Sequence, residues 1–537
     1  MEYSIYKGMT NKLMLTLAMF ALPLGMTATD YYVSATGSND NDGRSEETPL
    51  ASLSEAQKRL SAGDIVYLMP DTFRLTNSDI MATDLTSSSV EYKAVFDLSK
   101  SGKAGNPIRY IGLTDEAGRR PVFDLSAIQV GGYRLTGFLV RADYLILKNI
   151  EVVGIKVDPD VDSDSKTQSE NIRVTNGSHN TFENSACHDG WGIGFYLNKN
   201  SAYNLFVNCD GYNNYDPYSD INSSTRMGSG GNNDAFGCHV LKGNEGNVFI
   251  GCRAWNNSDD GYDLISCSSV VTFSYSIAYR NGYDADGVSR GDGNGFKAGG
   301  YGMSETADVT EVTESTVPRH EVHHSIAANN KANGFYSNHH LGGVYFHDNT
   351  AYRNGRFNYS LVNRQGFTIE EAVDVNGYNH RLERNLSIVE STKDNHVTYL
   401  RGDEGNNRLK DNSFRWVSKN SGGWAYEAFG NSIFESTRTA DLTAARNADG
   451  MLSDQTLAVM RQRSYVGLGC TFDDYEQAIE NARTKTGAES SSTTAISSIA
   501  KEAPAPHDDA IYDLQGRKVT SLRKGLYICN GKKIIIR

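Results

Sequence analysis

Proline, cysteine and positive charge are all scarce in this sequence. Ten of 537 residues are proline, against 52 glycines. That balance argues against a Pro-rich extended chain and leaves glycine to make the tight turns. Cysteine occurs seven times, at Cys187, Cys209, Cys238, Cys252, Cys267, Cys470 and Cys529. An odd count at these spacings does not make a disulfide framework, and small buried apolar side chains are the better reading. Basic residues number 52 and acidic ones 65, giving a net charge of −13. No nucleic-acid partner is expected of so acidic a chain, and an acidic substrate would need a positive bridge. Beyond the N-terminus no apolar run approaches membrane-spanning length.

The N-terminus itself has one apolar run. Lys7 and Lys12 precede Leu13 to about Leu24, and the small residues Thr27 and Ala28 follow. Charge, length and cleavage-site chemistry define a secretory signal peptide over 1–28. The mature chain is then expected to be exported, to the medium, the cell surface or the periplasm, with no membrane span.

A repeat organises the middle of the chain. "GCRAWNNSDDGYDLI", "YSIAYRNGYDADG", "HSIAANNKANGFYSN" and "DNTAYRNGRFNYSL" align on Ala254, Ala278, Ala327 and Ala351. The spacings of 24, 49 and 24 read as one period, two periods and one. The cysteines follow suit, with Cys252 lying 43 residues after Cys209, about two periods. Short β-type runs punctuated by Asn and Gly at this period predict an all-β parallel β-helix. Equivalent residues then stack about 4.8 Å apart along the axis.

The flanks complete the organisation. Residues 29–105 are expected to hold an N-terminal cap and the first strands, with a helix at "SLSEAQKRLSAGD" and a Ser52–Glu55 capping box. Residues 106–440 are the β-helix. Residues 441–485 are a helical covering segment, and 486–508 a Ser/Thr/Ala/Pro-rich linker. Residues 509–537 form a small β tail with an Asn530-Gly531 hairpin turn. The tail resembles C-terminal modules of exported Bacteroidota proteins, some of which are sorting signals.

Aligning the coils places the chemistry. Asp234-Ala235-Phe236-Gly237, Asp260-Gly261-Tyr262-Asp263, Asn294-Gly295-Phe296-Lys297 and Asn333-Gly334-Phe335-Tyr336 share one pattern. The aromatic column should point into the core. The residue after it should point outward, so Asp263, Lys297 and Tyr336 should line one exposed face. Asp234, Asp259, Asp260 and Asp263 then converge. Four carboxylates need a counter-ion, and oxygen ligands in that number suit Ca²⁺ rather than zinc or copper. Lys297 beside such an ion is expected to have a lowered pKa and to serve as a general base. Ca²⁺ on a uronate carboxylate would acidify the C5 proton, lysine would remove it, and the 4-linked oxygen would leave by β-elimination. The same ion would let an acidic protein hold a polyanion.

These residues resemble polysaccharide lyase family 9, the Ca²⁺-dependent pectate lyases and relatives. The resemblance spans roughly residues 30–400. It implies a right-handed parallel β-helix, calcium on Asp234, Asp259, Asp260 and Asp263, and Lys297 as base. It also implies a pectic substrate, homogalacturonan or rhamnogalacturonan I. The protein is expected to be a monomer. Tyr336, His339 and Arg290 are candidate substrate contacts, with His340, Arg319 and Arg356 weaker ones. "HEVHH" at 320–324 matches the H-E-x-x-H zinc pattern, but it aligns with a strand, where that motif cannot work. Two rivals stand beside the lyase: a β-helical hydrolase with paired Asp residues, which leaves Lys297 without a role, and a non-catalytic Ca²⁺-binding adhesin.

Overall fold

The computed structural model describes residues 28–488, apart from 88–89, 158–167, 219–228, 303–312, 314–315, 368–369, 390–394, 403–404, 419 and 421–422. It also describes the backbone of 511–512, 525–529 and 532–536. The signal peptide, most of the linker and the Asn530-Gly531 turn fall outside the described residues. Strands Gly525–Cys529 and Lys532–Ile536 pair antiparallel on either side of that turn.

Three long sheets run through residues 30–410. The first has twelve strands, from Asp30–Val33 to Arg408–Lys410. The second has ten, from Thr72–Arg74 to Leu386–Ile388, and the third eleven, ending at Val397–Thr398. Each coil contributes one short strand to each sheet in turn, and successive coils pair in parallel. This is a parallel β-helix. Parallel pairing of three-residue strands suits residues buried on one face and turned sharply by Asn and Gly.

The repeat column is real. Ala254, Ala278, Ala327 and Ala351 pair in register on successive coils, all fully buried. The count of coils needs correction, however. Ala278 and Ala327 are direct partners, so their spacing of 49 is one coil and not two. Asp210 and Arg253, one residue past Cys209 and Cys252, are likewise partners. Long insertions inside single coils make up the difference. One precedes Phe236 on the third sheet, and another follows Lys297. Periodicity alone cannot separate an insertion from a whole coil. The six cysteines whose side chains are described, Cys187, Cys209, Cys238, Cys252, Cys267 and Cys470, are free and buried.

Asparagine holds the coils together between the second and third sheets. Asn214, Asn257, Asn281, Asn330 and Asn354 form a ladder, each Nδ2 donating to the Oδ1 of the next at 2.9–3.0 Å. Each rung satisfies a buried amide that would otherwise cost about 1–3 kcal/mol. The ladder explains the glycine in the x-Gly-aromatic pattern. A Cβ on Gly261 would lie 2.8 Å from Asn281 Nδ2 and 2.7 Å from Gly295 O, and one on Gly295 would lie 2.6 Å from Gly334 O.

Both the N-terminal end and one flank are covered. Helix Leu53–Arg59 begins at Ser52, whose hydroxyl accepts from Glu55 N–H at 3.2 Å. The Glu55 carboxylate turns instead to Lys58 and Arg59, so only half of the capping box forms. At the other end the chain folds back over the outside of the solenoid. Leu442, Leu452, Val459, Met460, Tyr475 and Ile479 bury against Leu205, Val248, Ile277, Ile326 and Tyr352. Buried Arg446 bridges the cover to the coils through Asp210, which also pairs with Arg253 at 2.7 Å.

Candidate functional site

The site is built on the third sheet and on the turns that enter it. Phe195, Phe236, Tyr262, Phe296, Phe335 and Tyr359 stack along the core, with ring centroids 4.5–5.1 Å apart and near-parallel planes. That stack fixes the register of the next residues. Asp263, Lys297 and Tyr336 are direct partners on successive coils, on the opposite side of the sheet from the rings.

Two residues before each ring, a second column forms. Asp260 N–H donates to Asp234 Oδ1 at 3.1 Å. Asn294 donates to Asp260 Oδ1 from its backbone at 2.6 Å and from Nδ2 at 2.9 Å. Asn333 Nδ2 continues the column onto Asn294 Oδ1 at 2.8 Å. Two coils thus place a carboxylate where the next two place an amide. Asp259 sits beside them, accepting from Asn232 N–H at 2.9 Å and Asp292 N–H at 2.7 Å.

One carboxylate oxygen from each of Asp234, Asp259 and Asp260 lies within 4.8 Å of the others. Burial, reinforced by the neighbouring aspartates, drives Asp234 well above the usual carboxylate range. Burial likewise raises Asp260 well above it, and raises Asp259 to about 6 with help from Asp292. The cluster is therefore unfavourable as it stands. Asp263 takes a different place. Its Oδ1 accepts from Ile265 N–H at 2.7 Å and its Oδ2 faces Lys297 Nζ at 3.1 Å.

Lys297 corrects two expectations. It does not sit on an open face: only 7% of it is exposed. Its pKa is not lowered. Burial disfavours the ammonium, but Asp260, Asp263, Asp259 and Asp234 outweigh burial and raise the lysine well above its ordinary value. Nζ stands 3.0 Å from Asp260 Oδ2, which takes no well-aligned hydrogen bond. The expectation assumed a cation already competing for these carboxylates.

The residues present fit a hard divalent cation. Asp260 Oδ2 is buried without a well-aligned hydrogen bond, three carboxylates converge, and the donor set is oxygen alone.

The other candidates scatter. Tyr336 continues the Lys297 column and is partly exposed. His339 pairs with Asp374 at 2.7 Å. Arg290 is held by Asp284 at 2.8 Å and lies over the Tyr215 ring at 4.4 Å, at the rim of the cluster. His340 is fully buried, and its Nε2 faces Pro318 O at 2.7 Å. Arg356 is exposed. Arg319 lines a separate cavity of about 470 Å³ with Arg381 and Arg408, which shares no residue with the aspartates. Sequence reasoning missed Asp292, Asn294 and Lys331. Lys331 Nζ donates to Arg290 O and Gly291 O and so braces the turn that carries Asp292. Asn294 was legible as the amide rung of the aspartate column. Lys331 had no sequence signal.

A parallel β-helix carrying a buried lysine among aspartates on one sheet defines the class of fold and site. The comparisons specify it. A family model described as "Pel9A-like, right handed beta helix region" matches residues 31–385. Pectate lyase L of Dickeya dadantii (strain 3937) is 32% identical over 80% of this chain and 82% of that protein. A solved rhamnogalacturonan lyase is 36% identical, with a TM-score of 0.69, over 82% of this chain and all of that one. Pectate lyase Pel9A is 30% identical, with a TM-score of 0.58, over 82% and 90%. The chain belongs to the Pel9A-like right-handed β-helix family, polysaccharide lyase family 9.

Proposed function

We propose that this protein is an exported, Ca²⁺-dependent lyase that cleaves a pectic polyuronide by β-elimination with Lys297 as base. Its relatives are pectate and rhamnogalacturonan lyases, which supports a polysaccharide lyase acting on pectic polymer. The observation that carries the mechanism is Lys297 Nζ, lodged at 3.0–3.1 Å between buried Asp260 and Asp263.

Asp234, Asp259 and Asp260, with Asp263 beside them, would hold Ca²⁺. Bound there, the ion supplies the positive charge that binds a uronate carboxylate and acidifies the C5 proton. Carboxylates engaged in this way no longer favour the Lys297 ammonium, so Nζ can exist as a free amine. Lys297 Nζ then takes the C5 proton, the C4–O bond breaks, and a C4=C5 double bond forms. The departing oxygen takes a proton from water. Asp263 keeps Nζ aimed across the sheet. Tyr336, one coil on, borders the sugar, and Arg290 at the rim meets a neighbouring uronate.

Among the two named polymers we favour rhamnogalacturonan I, because the rhamnogalacturonan lyase is matched over its whole length at the higher identity. Residues 1–28 are proposed to be removed on export, and 486–508 to tether the tail. The test is ultraviolet absorbance of the conjugated product from rhamnogalacturonan I and, separately, polygalacturonate, each with Ca²⁺ and with chelator. A Ca²⁺-dependent rise on rhamnogalacturonan I supports the reading. Reducing ends without absorbance would make the protein a hydrolase, and no cleavage at all would leave the adhesin.

A further inference from the structure

The corner between the first and second sheets carries a cluster that the proposed reaction does not use. Strands Glu321–His323 and Tyr345–His347 are neighbours, and His323 pairs in register with His347. Their rings stack at 4.7 Å, 5° from parallel. His324, the next residue, adopts φ 48°, a left-handed turn that ends the strand. The turn brings its Nδ1 to 3.0 Å from His323 Nδ1 instead of sending it to the opposite face. One ring nitrogen from each of His323, His324 and His347 lies within 4.8 Å of the others. All three are half-buried and reachable from solvent. The "HEVHH" stretch thus meets a histidine of the adjacent coil, while His320 is fully buried and its Nδ1 accepts from Val271 N–H.

His347 has a supporting shell. Its Nδ1 lies 2.8 Å from Asp348 Oδ2 and its Nε2 3.1 Å from Glu321 Oε1. Arg384 clamps Asp348 through Nε and Nη2, both at 2.7 Å. Whichever nitrogen faces an ion, the other can donate to a carboxylate, the arrangement that orients metal-bound imidazoles. Three nitrogens with a nearby carboxylate suit Zn²⁺, whereas Ca²⁺ asks for oxygen. Zn–N bonds of about 2.0–2.1 Å require the His347 ring to tilt toward the other two.

We propose that His323, His324 and His347 form a Zn²⁺ site, distinct from the carboxylate cluster, that ties two coils together beside the docked C-terminal segment. Tyr275 stacks on His324 at 4.9 Å and also touches Phe472 and Tyr475 of that segment. Cys470 Sγ donates to His324 O at 2.9 Å. An ion here would therefore stiffen the cover and the corner it lies on. This inference does not depend on the lyase reading.

The test is calorimetric titration of the chelator-stripped full chain with Zn²⁺ alone, in excess Ca²⁺ to fill the oxygen site. One equivalent of Zn²⁺ should bind, and Co²⁺ in its place should give the visible bands of a nitrogen-liganded ion. His347→Ala and His324→Ala should each abolish binding. Asp348→Asn should weaken it by about 10–100-fold, while Asp234→Asn should leave the Zn²⁺ titration unchanged. Far-UV circular dichroism checks each fold, and His323→Gln replaces any alanine variant that fails to fold. Absence of Zn²⁺ binding to the wild type overturns the proposal, as does wild-type affinity in a folded His323→Gln or His347→Ala.

Discussion

Asp234→Asn should change thermal stability in opposite directions with and without Ca²⁺. Asp234 is 3% exposed, and its carboxylate lies within 4.8 Å of those of Asp259 and Asp260. At an effective dielectric of about 20, each such like-charge pair costs about 3–4 kcal/mol. Lys297 offsets part of this, and the raised Asp234 pKa shows that protonation relieves more. A net gain of about 1–3 kcal/mol remains for the neutral amide in chelator. The amide keeps the oxygen that accepts from Asp260 N–H, so the column stays intact. With Ca²⁺ at about 100 times its Kd, the wild type gains about 2.7 kcal/mol, and the variant should lose most of that gain. For a chain of this length the two effects amount to about 1–2 °C per kcal/mol. Scanning calorimetry with Ca²⁺ and with chelator reads both. The variant should melt at or above wild type in chelator and below it in Ca²⁺. A variant that keeps the full Ca²⁺ shift would refute the assignment of Asp234 as a ligand.

Other parts of the structure make further predictions. Phe296→Ala opens a hole in the ring stack between Tyr262 and Phe335 and should cost about 3–5 kcal/mol by denaturant unfolding, against less for Phe296→Leu. Arg446→Ala leaves the buried Asp210 with Arg253 alone and should cost about 3–5 kcal/mol, read as unfolding or as faster proteolysis of the C-terminal cover. Glu151 is partly buried, which works against its charge, yet the His188 hydrogen bond and Arg120 hold its pKa down at about 2. A lowered carboxylate stabilises above its unfolded pKa, so about 2–3 kcal/mol should be lost as pH falls from about 4.5 toward 2. Glu151→Gln should flatten that part of the pH–stability curve.

Much of this was legible in the sequence because a solenoid converts spacing into contact. The alanine column, the aromatic stack and the Asp263–Lys297–Tyr336 line all follow from aligning four-residue patterns. The insertions were not legible, since a loop of one period's length imitates a coil in a count of residues. The burial of Lys297 was missed for a related reason. Strand alternation gives direction but not depth, so it did not show Lys297 buried among Asp234, Asp259, Asp260 and Asp263. The ion pair of Lys297 with Asp260 and Asp263 needed distances, because charge sign alone did not say which partner wins without a cation. Lys331 reaches the site across a loop, and no pattern marked it.

The central claim is that Lys297 removes the C5 proton beside a cation held by the aspartates. The most direct measurement compares the initial rate of unsaturated-product formation by wild type and Lys297→Ala at saturating Ca²⁺, with Ca²⁺ binding measured on the same samples. The account expects Ca²⁺ still to bind the variant while the rate falls by about 10²–10⁴-fold. A Lys297→Ala protein that binds Ca²⁺ and still forms the unsaturated product at near wild-type rate would contradict it.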